Sequence, residues 1–210
     1  KQLFEVTSHQ LGSGPTLFAW SPNGQYLAVC GIKLRVVVLD RKGDVHDEIS
    51  LSGREHLNTT AVMQFAWDRR SEKLAMILQT GGKQLIGDSV VVYTARRRES
   101  MRLEPPNFNR DATHTAWDPE GRVLSVATAK GNLLLYDSRF GKTTSVLGKH
   151  TKRVTCGAWS ADGRLAMGAD DKKVTVSAPA GDTELELALK MEPKELKFAP
   201  EPAAARGGLA

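Results

Sequence analysis

The sequence predicts an all-β fold made of four copies of one four-stranded unit, followed by the opening strand of a fifth. Three observations carry this reading. All four tryptophans, Trp20, Trp67, Trp117 and Trp159, stand in one local context and recur every 42 to 50 residues. Each is followed by the same succession of apolar runs and polar turns, and no stretch shows the 3.6-residue period of an amphipathic helix.

The unit opens with the tryptophan strand. Each indole follows an alanine and precedes a tight polar turn: Ala19-Trp20-Ser21-Pro22-Asn23-Gly24, Ala66-Trp67-Asp68-Arg69-Arg70-Ser71, Ala116-Trp117-Asp118-Pro119-Glu120-Gly121 and Ala158-Trp159-Ser160-Ala161-Asp162-Gly163. Ser or Asp opens the reversal, Pro22 and Pro119 hold the second position with φ already set, and glycine suits the fourth. A second strand follows in Tyr26 to Cys30, Leu74 to Leu78, Val123 to Ala127 and Leu165 to Ala169. Third strands are the runs Val36-Val37-Val38-Leu39-Asp40, Val90-Val91-Val92-Tyr93-Thr94, Leu133-Leu134-Leu135-Tyr136-Asp137 and Val174-Thr175-Val176-Ser177. Continuous Val and Leu suits a strand covered on both faces. A more polar fourth strand closes each unit, clearest in the strict alternation of Glu184 to Leu189.

Four short antiparallel strands in this length match one blade of a β-propeller. The blades are expected at residues 14–52, 59–104, 112–148 and 153–190 of a propeller domain spanning 1–200, with the four tryptophans as anchors packed between blades. Glu195 to Pro200 reads as the first strand of a fifth blade, and residues 201–210 as a flexible loop or truncated end. The competing reading, a β-sandwich whose tryptophans recur by chance, fits four matches out of four poorly.

Leu39-Asp40 and Tyr136-Asp137 end third strands, Gly148-Lys149-His150 precedes a first strand, and Asp170-Asp171 lies between a second and a third. On these residues the units resemble WD repeats, with Trp-Asp, Gly-His and the turn Asp at the corresponding places. The resemblance implies a WD-repeat β-propeller, here four blades plus the start of a fifth from a seven-bladed whole. It also implies that Asp40, Asp137, His150 and Asp171 join a buried polar network, incomplete in this chain, that fixes the turns. Trp67-Asp68 and Trp117-Asp118 follow first strands and read as turn residues instead.

Within that class, Lys130 to Tyr136 together with Gly148-Lys149-His150-Thr151-Lys152-Arg153-Val154-Thr155-Cys156-Gly157-Ala158-Trp159 are similar to the WD-repeat subunits of intraflagellar transport complex A. Phe18-Ala19-Trp20, Tyr26 to Val29 and Gly181-Asp182-Thr183 fit the same family. The resemblance spans residues 1–200, is strongest over 130–183 and weakest over Gly81 to Asp88. It implies a non-catalytic scaffold that supports retrograde transport, cilium assembly and ciliary import of membrane proteins. The implied partners are other complex A subunits, ciliary membrane-protein cargo adaptors or an acidic membrane surface; the implied locations are the cilium or flagellum, basal body and cytoplasm. Family chains are far longer, so this sequence reads as a fragment. The alternative is a coat-like or phosphoinositide-binding propeller docking on acidic membranes.

Motifs for chemistry are missing: there is no P-loop, GxGxxG, HExxH or GxSxG, so no catalytic residue, cofactor site or metal site is predicted. The five histidines have no metal-ligand spacing, and Cys30 and Cys156 read as buried free thiols. Arg96-Arg97-Arg98, in the turn after a third strand, reads as a solvated turn or as a contact for acidic lipid or protein. Lys149, Lys152 and Arg153 form a second basic cluster. A net charge of +5 permits acidic partners, but no aromatic residues interleave with the bases, which argues against nucleic acid. The apolar runs are far short of a membrane-spanning helix, and the N-terminus lacks a secretory signal core, which predicts the cytosol or a compartment continuous with it.

Overall fold

Sixteen strands, paired only as antiparallel neighbours, form four separate four-stranded sheets among the described residues. The computed structural model describes residues 4–7, 11–12, 16–31, 35–51, 59–80, 89–103, 111–179 and 181–199. The first sheet holds β1 (Leu17–Trp20), β2 (Tyr26–Cys30), β3 (Arg35–Asp40) and β4 (Val45–Ser50). The second holds β5 (Thr59–Trp67), β6 (Lys73–Thr80), β7 (Ser89–Thr94) and β8 (Glu99–Leu103). The third holds β9 (Ala112–Trp117), β10 (Val123–Thr128), β11 (Leu133–Asp137) and β12 (Lys142–Val146). The fourth holds β13 (Val154–Trp159), β14 (Leu165–Ala169), β15 (Lys173–Ser177) and β16 (Thr183–Ala188). Each sheet is a meander in chain order.

The sheets stack face to face around their first strands: β1 lies against β5, β5 against β9 and β9 against β13. This is a propeller-like arrangement, and it explains the apolar runs. The second and third strands are covered on both faces, with Val36, Val37, Val38 and Leu39 all at most 1% exposed. Burying each such side chain contributes roughly 1.5–3 kcal/mol. Three apolar seams result, the first joining Val36, Val38, Leu74, Met76, Val91 and Tyr93 across the first two blades. The other two join the second blade to the third and the third to the fourth.

The two outward faces of the stack are only partly covered. On the first blade, Leu27 and Val29 stand opposite Trp20 and Phe18 in the ladder, so these four share the face turned away from the second blade. Phe4, Val6 and Leu11 pack onto that face, yet Phe18 remains 64% exposed. On the fourth blade, Leu185 pairs with Val176 and Leu187 with Val174, opposite in facing to the Met167 and Thr175 that look toward the third blade. Pro193 covers Gly168 there, while β16 is exposed along its whole length.

The alternation of Glu184 to Leu189 forms β16 as expected, with its apolar side exposed and no further sheet packed against it among the described residues. One expectation is corrected: residues 195–199 carry no strand, since no neighbouring strand supplies their ladder; Pro200 and residues 201–210 lie outside the described residues. No helix is long and apolar enough to cross a membrane among the described residues.

Candidate functional site

The recurring tryptophan makes a recurring bond. Trp67 Nε1 donates to Ala19 O, Trp117 Nε1 to Ala66 O and Trp159 Nε1 to Ala116 O, each at 3.1 Å. Every acceptor is the alanine just before the preceding blade's tryptophan, so the Ala-Trp pair is both socket and plug of one inter-blade joint. A buried indole N–H needs such a partner. Trp117 is buried, Trp67 and Trp159 are half-buried, and Tyr26 stacks on Trp67 with centroids 6.0 Å apart. Trp20, expected between blades like the others, is 45% exposed and meets Phe4, with no sheet packed on its outer side among the described residues.

Of the four network candidates, the structure unites two. His150 is buried, its Nδ1–H donating to the Asp171 carboxylate at 3.1 Å and its Nε2 accepting from Thr175 Oγ1 at 3.1 Å. Asp171 also accepts from the N–H groups of Thr151 and Lys173. Burial pushes its pKa up, but these donors and His150 outweigh it, and the carboxyl ends below its ordinary value. Asp40 and Asp137 do not join this network. Asp40 closes its own turn by accepting from the N–H groups of Lys42 and Asp44. Asp137 is gripped by the Arg139 side chain, which brings its pKa down to about 2. Both sit at third-strand ends facing solvent, where a tight turn offers unpaired N–H groups closer at hand than any neighbour's histidine.

Other polar ties had no sequence signal. Gln64 exchanges two bonds with the Thr115 backbone, and its Nε2 also reaches His114 Nδ1 at 3.3 Å. His114 Nε2–H then donates to Gly157 O at 3.0 Å, so one neutral imidazole joins three inner strands. Burial depresses the His114 pKa. Lys73 Nζ donates to Gly121 O and Ser138 Oγ and lies 5.3 Å from the Trp117 ring centre. Asp68 does act as a turn residue, accepting from the N–H groups of Glu72 and Lys73, but it is fully buried, and burial raises its pKa.

The basic clusters separate. Arg96, Arg97 and Arg98 are exposed in the β7–β8 turn. Lys152 and Arg153 are exposed before β13, whereas Lys149 is tied down, its ammonium donating to Gly181 O and Thr183 Oγ1. Cys30 and Cys156 are buried free thiols, Cys30 pushed up to about 11 by burial. A cleft of about 380 Å³ opens between the third and fourth blades beside Trp159, but its rim charges are paired, Arg122 with Glu120 and Arg164 with Asp162. Among the described residues, no three His, Cys, Asp or Glu side chains gather as a metal site.

Four-stranded sheets joined by indole-to-alanine bonds, with a His–Asp–Thr network in the fourth, define a β-propeller of the WD-repeat class. A solved chain of the mitotic checkpoint complex shares this fold, with a TM-score of 0.70 at 20% identity over 89% of this chain and 54% of that one. Residues 16–207 match the family model of the WDR19 first beta-propeller, and the chain belongs to that family. It is 35% identical over 200 residues to WD repeat-containing protein 19 of Homo sapiens and 34% identical to that of Mus musculus. It is 25% identical over 207 residues to WD repeat-containing protein dyf-2 of Caenorhabditis elegans. Each comparison covers 94% of this chain and 14% of the relative, so the chain spans about a seventh of their length.

Proposed function

We propose that this chain is part of a propeller in a non-catalytic scaffold subunit of intraflagellar transport complex A. The observation that carries this is the 34–35% identity to WD repeat-containing protein 19 across 94% of the chain. The complex-specific resemblance over residues 130–183 points the same way. In this reading the blades are a rigid frame that displays turns and loops to partner proteins, with indole bonds and apolar seams holding each blade in place. The subunit serves retrograde transport along the cilium, cilium assembly and ciliary import of membrane proteins. Its partners are other complex A subunits and adaptors for membrane-protein cargo, and it works in the cilium or flagellum, at the basal body and in the cytoplasm.

The propeller is completed by further blades, to a total of seven. The half-exposed Trp20 indole and the apolar outer faces of the first and fourth blades support this: the last blade's alanine carbonyl would accept from Trp20, and Ala158 O would accept from a fifth blade. Affinity purification of the intact protein from ciliated cells, followed by mass spectrometry, tests the assignment. Recovery of other complex A subunits is expected; recovery only of proteins outside the cilium would refute it.

A further inference from the structure

Five arginines gather at one end of the second blade. Arg69 and Arg70 occupy the β5–β6 turn and Arg96, Arg97 and Arg98 the β7–β8 turn, and all five are exposed. An antiparallel meander brings these two turns to the same end of the sheet, and the Ala95 N–H donates to Glu72 O at 2.9 Å, fastening them side by side. His46 on the first blade bonds Ala95 O at 3.1 Å and steadies the second turn from outside.

These arginines differ from their counterparts on the next two blades. Arg122, Arg139 and Arg164 are each held by a carboxylate of their own turn: Glu120, Asp137 and Asp162. Among the described residues, none of the five has an ion pair. The backbone adds a second distinction. The β3–β4, β11–β12 and β15–β16 turns each place a glycine in the left-handed region, Gly43, Gly141 and Gly181, whereas the second blade places Arg98 there at φ 57°. A non-glycine residue is strained in that region, so the fold keeps a cation where its sister turns relax with glycine.

We infer that this end of the second blade is a docking surface for an acidic peptide segment of a partner protein. The inference rests on the scaffold reading above. Guanidinium forks without an ion pair among the described residues can each take a carboxylate in bidentate fashion. A peptide rather than a lipid surface fits the surroundings: the two turns expose no apolar side chain to enter a bilayer, and Glu72 and Glu99 border the arginines. A discrete chain can steer its acidic residues past those carboxylates; a uniformly anionic plane would press against them.

The test uses the intact protein and a fluorescein-labelled peptide rich in Glu and Asp, read by anisotropy. Arg69→Glu with Arg70→Glu, and separately Arg96→Glu with Arg97→Glu, are expected to weaken binding by about tenfold or more, and added salt to weaken wild-type binding steeply. Lys190→Glu, beyond β16, is expected to leave it unchanged. Arg98→Gly relieves backbone strain, so it should raise the melting temperature while weakening the peptide, a combination that a purely structural role would not give. Peptide binding indifferent to both double reversals would overturn the inference. So would arginine-dependent binding to phosphatidylserine vesicles without binding to the peptide. Co-purification of complex subunits by the wild-type protein is scored separately, so its failure counts against the scaffold reading and loss of arginine dependence against this surface alone.

Discussion

At the scale of single residues, equal sequence contexts have unequal energetic weight. Trp117 is 7% exposed, donates to Ala66 O and lies under the Lys73 ammonium; Trp20 has the same Ala-Trp context and is 45% exposed. Trp117→Ala is expected to cost about 3–5 kcal/mol in urea denaturation of this chain, and Trp20→Ala under about 1 kcal/mol. Similar losses at the two sites would contradict the seam described above. His114 supplies a pH dependence. Its folded pKa lies below the ordinary 6.5, so the unfolded chain takes up a proton first, and stability falls as pH drops through about 6.5, levelling off below the folded value. The slope is at most about 1.4 kcal/mol per pH unit. Lowering the pH from about 7.5 to about 5.5 should lower the denaturation midpoint of the wild type by more than that of His114→Gln, and equal shifts would contradict the linkage.

At the scale of strands and turns, most of the pattern was legible. Val36 to Leu39 and Leu133 to Tyr136 announced central strands because a strand covered on both faces tolerates no alternation, and both became buried third strands. The His150–Asp171 contact was legible through the repeat pattern, whereas Asp40 and Asp137 misled because an aspartate at a strand end serves a nearby turn equally well. Turn closeness was not legible. Gly131, at φ 80°, lies where an added Cβ would stand 2.1 Å from His150 O, so the β10–β11 turn presses on the backbone that carries the buried histidine. Gly131→Ala should cost about 2 kcal/mol or more from backbone strain and steric clash together. A melting temperature within a degree or so of wild type would refute that contact.

At the scale of the whole molecule, the two outer faces of the stack are only partly covered among the described residues, and side chains on the fourth blade's face should respond oppositely to context. In the 210-residue chain, Leu185→Glu with Leu187→Glu removes exposed apolar surface and should reduce self-association in light scattering. In the intact protein the same pair would be buried against a further blade and should lower the melting temperature; improved stability in both settings would argue against closure. The sequence by itself determined the four-fold repeat and the strand order, because period-two patterning, buried apolar runs and turn chemistry act between residues close along the chain. Only the tertiary structure decided which residues meet across blades: Lys73 with Gly121, Gln64 with His114, and Arg69 and Arg70 beside Arg96 to Arg98. Those meetings depend on how twisted sheets stack and where meander turns emerge, and residues some 26 to 50 positions apart carry no local mark of that geometry.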